Sequence, residues 1–283
     1  MWRDKMGFMA TAKSTGNLDA EYMVTDGQVA DYRANGHVLV EGVCAKSEVA
    51  YHRESISAAV ERLNAEARPM ESRDTYGKAF LQTMNLWVDD EAIKDFVFAR
   101  RFAKIAADLM GVDAVRLYHD QALYKEPGGG HTPWHQDQYY WPLSTPHAIT
   151  MWMPLVDITV DMGIMSFASG SQGEGYLAGL SISDESEERF RAFVDEQGYA
   201  VSEPRDMHAG DATFHDGWVL HNAPGNSTRT MREVMTIIYF ADGTRVCEPN
   251  NPSRENDLRT WLPGCTPGDL AASPINPVLY AAP

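Results

Sequence analysis

His135 and Asp137, in the run Pro133-Trp134-His135-Gln136-Asp137, have the residue types and the spacing to hold a metal ion. In a strand, residues two apart point to the same face, so an imidazole and a carboxylate can stand side by side. A third ligand from a distant part of the chain would complete a two-histidine, one-carboxylate facial set. Such a set leaves three positions open on one side of an iron ion, enough for a bidentate co-substrate and O2. Structural zinc prefers a closed tetrahedron, usually with cysteine, and Cys44, Cys247 and Cys265 are widely spaced with no CxxC pair. Taken alone, the HxD pair is equally well explained by a partly buried strand histidine bonded to its neighbours.

The second half of the signal lies downstream. Trp218-Val219-Leu220-His221 has strand character and is followed by the turn-forming stretch Asn222-Ala223-Pro224-Gly225-Asn226. Arg232 comes 11 residues after His221, at the start of the next β-like run, which suits a hairpin returning to one pocket. The planar fork of arginine grips a carboxylate bidentately, so Arg232 suits the distal carboxylate of 2-oxoglutarate. A surface strand is nevertheless the commoner fate of any one arginine. Two rivals stand nearby: Arg229, which falls in the turn, and His215, with Asp216 beside it. His221 is preferred because its position leaves Arg232 correctly placed.

The elements that must position these groups change character along the chain. Residues 1–22 lack periodicity and read as a loose arm. Thr25 with Gln28 forms a capping-box pattern, Gly36 stands where a helix ends, and His37-Val38-Leu39-Val40 reads as a short strand. Apolar residues recur at helical spacing over 47–66 and over 89–110, so 23–112 is expected to be a helical buttress. From about residue 113 to 245, short β-rich runs alternate with Gly, Pro and Asp turns, as in Val234-Met235-Thr236-Ile237-Ile238-Tyr239-Phe240. This texture predicts a mainly β fold with flanking α-helices, a sandwich or jelly roll rather than a βαβ sheet. The acidic stretch 183–200 reads as a solvated helix inserted between strands, and 246–283 as an irregular tail. The whole is expected to form a single domain.

Assembled, these motifs resemble the phytanoyl-CoA dioxygenase family of Fe(II)/2-oxoglutarate-dependent oxygenases over about residues 24–245. The resemblance rests on Thr25-Asp26-Gly27-Gln28-Val29 with Asn35-Gly36-His37, on Lys125-Glu126-Pro127-Gly128 leading to Trp134-His135-Gln136-Asp137, on Gly163 through Gly170-Ser171-Gln172, and on Gly210-Asp211 leading to His221, Asn226 and Arg232. It implies a double-stranded β-helix (cupin-like) core, with His135, Asp137 and His221 on Fe(II) and Arg232 on 2-oxoglutarate. It also puts Gln121 and Trp152 at co-substrate positions, with Gln82 as a weaker carry-over. From their own context, Gln121 and Trp152 are equally plausible inward-facing strand residues. The implied reaction couples decarboxylation of 2-oxoglutarate by O2, giving succinate and CO2, to hydroxylation of a small organic molecule. Halogenating relatives lack the carboxylate, so Asp137 points away from halogenation. Three positions depart from the family pattern: Ala223 where Ser is frequent, Gln172 where His is usual, and Met162 where Asn is common. The first would remove one hydroxyl contact to 2-oxoglutarate.

Bulk properties set the frame. With 24 Lys+Arg against 40 Asp+Glu, the formal net charge is −16, which makes nucleic acid a poor partner. No apolar run is long enough to span a membrane, no secretory signal is evident at the N-terminus, and the cysteines suggest no disulfide framework, so a reducing cytoplasm is expected. The aromatic run Tyr139-Tyr140-Trp141 is a candidate wall of the substrate pocket or, equally, part of the core. Two alternatives remain at this level: a cupin-like metal enzyme that does not use 2-oxoglutarate, and a non-catalytic jelly-roll binding protein. The sequence identifies neither the substrate nor the oligomeric state.

Overall fold

In the first described helix, α1 (Asp26–Asn35), both halves of the capping box form: Thr25 Oγ1 accepts from the Gln28 backbone N–H, and Gln28 Oε1 accepts from that of Thr25. Gly36 ends the helix with φ +76°, and the chain turns directly into β1 (His37–Val40). The computed structural model describes residues 17–177 and 179–283, so most of the expected loose arm, residues 1–16, lies outside the described part. Residues 17–22 are tied down rather than loose. Leu18 is buried in the core, and the Arg101 guanidinium donates to the Asn17 and Ala20 carbonyls.

Next come α2 (Lys46–Leu63), α3 (Thr75–Ala79), β2 (Leu81–Met84), α4 (Glu91–Val97) and α5 (Arg100–Met110). The helical repeat expected over 89–110 is therefore broken, because Ala99 is extended (φ −52°, ψ 115°). The break re-aims the chain so that Phe96 and Phe102 meet edge to face, 5.1 Å between centroids, with both rings fully buried. Tertiary packing has overridden local propensity at that point. The buttress also contributes two strands to the major sheet: β1, at the residues read as a short strand, and β2, which the apolar periodicity of the neighbouring helices concealed.

The remaining elements are β3 (Ala114–Tyr124), β4 (Thr132–His135), β5 (Leu143–Ser144), β6 (Ala148–Pro154), β7 (Ser166–Phe167), α6 (Asp184–Gln197), β8 (Ala212–Asp216), β9 (His221–Ala223), β10 (Val234–Ala241), β11 (Arg245–Val246), α7 (Pro252–Trp261) and β12 (Val278–Ala281). The major sheet runs β1-β8-β6-β10-β3-β12, with β2 also on β3, and a minor sheet runs β4-β9-β7. This is the jelly-roll arrangement expected of the β-rich half. Alternation along β6 and β10 assigns the faces: Met151, Met153, Ile237 and Tyr239 join Ile56, Phe102 and Ile105 of the helices in one apolar cluster. Thr150, Trp152 and Thr236 point the other way, into the space between the sheets. Fully burying each such large apolar side chain contributes about 1.5–3 kcal/mol, which is what holds the helices to the outer face.

Two further differences from the sequence reading have physical causes. Helix α6 is solvated on one side only, because Phe190 and Val194 pack with Trp134 and Leu220 of the minor-sheet region. The tail expected to be irregular carries α7 and β12. Helix α7 is started by Asn251, whose side chain accepts from the Arg254 N–H, and it buries polar residues, Arg254 and Asp257, so it shows no apolar stripe to read. Strand β12 gains its regularity only by pairing with β3.

Candidate metal and co-substrate site

Strands β4 and β9 lie antiparallel, with His135 directly opposite His221 and their ring centroids 4.1 Å apart. Beyond β4 the chain enters a tight turn at Asp137, which folds the carboxylate back toward the two rings. One ligand-type atom from each of His135, Asp137 and His221 can be chosen so that all lie within 4.8 Å of one another. His135 Nδ1 donates to the Pro133 carbonyl (2.8 Å) and His221 Nδ1 to the Val219 carbonyl (3.1 Å). A carbonyl can only accept, so both rings carry the proton on Nδ1 and present an unprotonated Nε2 to the shared centre, the form that binds a metal. These Nε2 atoms stand 3.4 and 3.7 Å from Asp137 Oδ1.

Charge agrees with this geometry. Burial opposes ionisation of Asp137, but the hydrogen bond that its carboxylate accepts from His215 favours the charged form, and the carboxyl lies well below the usual range. Burial, with the neighbouring His135, keeps His221 well below the ordinary histidine range and hence neutral. His215, the rival for the third position, lies behind the carboxylate: its Nε2 is 3.2 Å from Asp137 Oδ2, which also accepts from Thr150 Oγ1 at 3.0 Å. Arg229, the other rival, is exposed in the turn.

All seven residues singled out from the sequence (Gln82, Gln121, His135, Asp137, Trp152, His221 and Arg232) line one cavity of about 280 Å³. Arg232 is only 2% exposed, and among the described residues its guanidinium makes one hydrogen bond, from Nη1 to the Gly163 carbonyl. Its Nε is buried with no partner among the described residues, and its Cζ lies 5.3 Å from the centre of the Trp152 ring. Burial brings the guanidinium down to about 9. An uncompensated buried cation costs several kcal/mol, so this arrangement is suited to receiving an anion from the cavity. Lys125, fully buried beside it, is pulled down to about 6 by burial and by Arg232 itself. Gln121 sits opposite Thr236 in the β3–β10 ladder. Tyr76 Oη donates to Gln82 Oε1 and Gln82 Nε2 donates to Gln121 Oε1, each at 2.5 Å, which leaves the Gln121 amide N–H groups free to face the cavity.

The turn that carries Arg232 is fastened by Asn226, fully buried, whose Nδ2 donates to the Lys125 and Thr230 carbonyls. Backbone bonds between Lys125 and Arg232, 2.9 Å in both directions, complete the joint. The Lys125-Glu126-Pro127-Gly128 motif and Asn226 thus meet in one structural knot. Gly163, with φ +85°, leaves no room for a Cβ against the Pro224 carbonyl. Of the aromatic run, Tyr140 and Trp141 line the cavity, whereas Tyr139 stacks on Tyr176. Gln172 bonds the Arg33 and Ala34 carbonyls at the end of α1, and Met162 is in the core between the sheets. The sequence reading missed His119, Thr150 and Asp257, which also line the cavity; a buried polar residue in a strand or a polar helix leaves no periodic signal.

Comparison with known proteins bears on the same region. The family model for phytanoyl-CoA dioxygenase (PhyH) matches residues 32–234. Methylphosphonate hydroxylase of Gimesia maris is 29% identical over 149 residues, 53% of this chain and 54% of that protein, so the chain spans about half the length of the curated relative it matches. Among solved structures, the epimerase SnoN from nogalamycin biosynthesis, in complex with Fe3+, α-ketoglutarate and nogalamycin RO, is 26% identical. That match has a TM-score of 0.71 and covers 90% of this chain and 98% of that one. EctD from S. alaskensis with 2-oxoglutarate and 5-hydroxyectoine, at 17% identity and TM-score 0.67, shares the fold over 92% of this chain and 91% of its own.

Proposed function

The chain belongs to the phytanoyl-CoA dioxygenase family, and we propose accordingly that it is a non-haem Fe(II)- and 2-oxoglutarate-dependent dioxygenase hydroxylating a small organic molecule, with release of succinate and CO2. The observation that carries this reading is the meeting, in one cavity, of the His135–Asp137–His221 cluster and a buried, under-partnered Arg232. Iron held by the three residues, with 2-oxoglutarate and O2, supplies the oxidising chemistry.

The chain's own residues bind and orient. Arg232 takes the distal carboxylate of 2-oxoglutarate through donors that the protein leaves free, and Trp152 forms the floor beneath that contact. The Tyr76–Gln82–Gln121 relay fixes which way the Gln121 amide faces, so that it offers N–H groups to an anionic co-substrate. Asp137 stays ionised, and His135 and His221 stay aligned by their carbonyl partners, so the donor set is organised before any ligand arrives. Direct packing of α2, α4 and α5 on the major sheet supports treating the chain as one oxygenase domain. The three free cysteines suit a reducing compartment such as the cytoplasm.

The test is an anaerobic titration of the apoprotein with Fe(II) and 2-oxoglutarate, followed by visible absorption. A weak charge-transfer band that saturates with 2-oxoglutarate and is lost in His135→Ala is the expected result. Bound Fe(II) with no such band would overturn the co-substrate assignment in favour of a cupin-like metal enzyme.

A further inference from the structure

The end of the cavity beneath α7 differs in chemistry from the Arg232 end. Asp257, 8% exposed, lines it, and among the described residues its carboxylate accepts a single hydrogen bond, from Tyr118 Oη to Oδ2 at 3.0 Å. Among the described residues it has no ion-pair partner. Arg254, one turn earlier on the same helix, directs its guanidinium away, to the Gln138 and Tyr139 carbonyls and over the Tyr176 and Trp218 rings. Arg232, the one Lys or Arg lining the cavity among the described residues, is instead held against Gly163 and Trp152. The walls around Asp257 are aromatic: Trp141 and Trp261 both line the cavity, and Trp261 packs 5.1 Å from the His119 ring. Burial holds His119 down at about 3, so it is neutral, and its buried Nδ1 has no partner among the described residues.

We infer that this end is a substrate-recognition subsite for a cationic amino group, with the Asp257 carboxylate as counter-charge and Trp141 and Trp261 as the rings flanking it. The inference rests on the oxygenase reading of the cavity and specifies the class of its substrate. A buried carboxylate with only a neutral hydroxyl partner is poorly compensated, and burial accordingly pushes Asp257 up to about 7. An ammonium group supplies the missing charge, and the indole faces add cation–π attraction. A neutral alcohol supplies no charge and leaves the carboxyl to be neutralised by a proton instead, and an anion would disfavour the ionised carboxylate further. The net charge of −16 favours arrival of a cation over that of an anion. Asp257 and the candidate metal ligand Asp137 line the same cavity of about 280 Å³, so an amine at this subsite lies within one small molecule's reach of the reacting centre.

The experiment uses the full chain loaded anaerobically with Fe(II) and 2-oxoglutarate, and reads calorimetric binding of benzylamine, benzyl alcohol and benzoate, with the visible band recorded in parallel. Benzylamine is expected to bind at least about tenfold more tightly than benzyl alcohol, and benzoate least of all. Asp257→Asn, which keeps an acceptor for Tyr118, should erase the preference while leaving the 2-oxoglutarate band unchanged. Trp261→Leu should weaken benzylamine binding several-fold. Equal binding of amine and alcohol by the unaltered protein, or a preference that survives in Asp257→Asn, would overturn the subsite. A clear amine preference without any 2-oxoglutarate-dependent band would support the subsite and sink the oxygenase reading instead.

Discussion

His215 and Thr150 share one oxygen of Asp137: both lie against Oδ2, at 3.2 and 3.0 Å, while Oδ1 is turned toward His135 and His221. Since the carboxylate can only accept, His215 carries its proton on Nε2, and its buried Nδ1 is left bare. The pair fixes the rotation of the carboxylate without entering the three-residue cluster. We expect His215→Phe and Thr150→Val each to lower Fe(II) affinity about 10–100-fold, the usual effect of removing a ligand's hydrogen-bond partner. Fe(II) or Mn(II) titration reads this directly, and unchanged affinity in both variants would reduce the two residues to packing.

Arg232 tests the co-substrate end. Removing one partner of a buried, hydrogen-bonded charge pair typically costs about 2–5 kcal/mol, so Arg232→Ala should raise the 2-oxoglutarate requirement at least ~30-fold with Fe(II) binding intact. Arg232→Lys should rescue little, because a point charge does not reproduce a bidentate fork. A 2-oxoglutarate affinity indifferent to both substitutions would contradict the role given to this residue.

Ala223 lines the same cavity as Arg232 and is buried. A hydroxyl added there, in Ala223→Ser, is expected to strengthen 2-oxoglutarate binding by about 0.5–1.5 kcal/mol, roughly two- to tenfold. Calorimetry on the Fe(II) form provides the measurement; weaker binding would mean that the pocket has closed around the smaller residue.

Asp120 makes a prediction about stability. It is fully buried, its side chain accepts from the Leu86 N–H at 3.0 Å, and burial raises it from 3.8 to about 7. With the folded value above the unfolded one, the fold prefers the protonated acid. Its contribution therefore diminishes as pH rises from about 4 to about 7, then stays level, with a total cost of no more than about 4 kcal/mol. Asp120→Asn should remove that pH dependence, so its unfolding midpoint should gain on the wild type between pH 5 and pH 8. Parallel curves for the two proteins would show that Asp120 stays ionised in the fold.

What the sequence revealed and what it hid divide along physical lines. His135, Asp137, His221 and Arg232 were legible because their chemistry demands particular residue types at spacings that strands and a hairpin can satisfy. The start and end of α1 were legible because capping is local, set by Thr25, Gln28 and Gly36. Strand β2 and its Gln82 were not placed as a strand, since four residues between helices carry too little periodicity. Helix α7 was hidden because its buried residues, Arg254 and Asp257, are polar and are stabilised by partners far away in sequence, Gln138, Tyr139 and Tyr118. The position of His215 behind Asp137 depends on the β6–β8 pairing that sets Thr150 beside it, a long-range register that one sequence does not display.

The opposed placement of His135 and His221 has a consequence for how the protein is assembled. The chain between β4 and β9 includes β6, α6 and β8, and closing so long a segment is entropically expensive. Contacts of such high sequence separation form slowly, and they must be secured by the apolar clusters on either side of the major sheet rather than by an ion that has no docking point in the unfolded chain. The long-range packing of the chain itself, rather than a metal, is thus what sets His135 opposite His221.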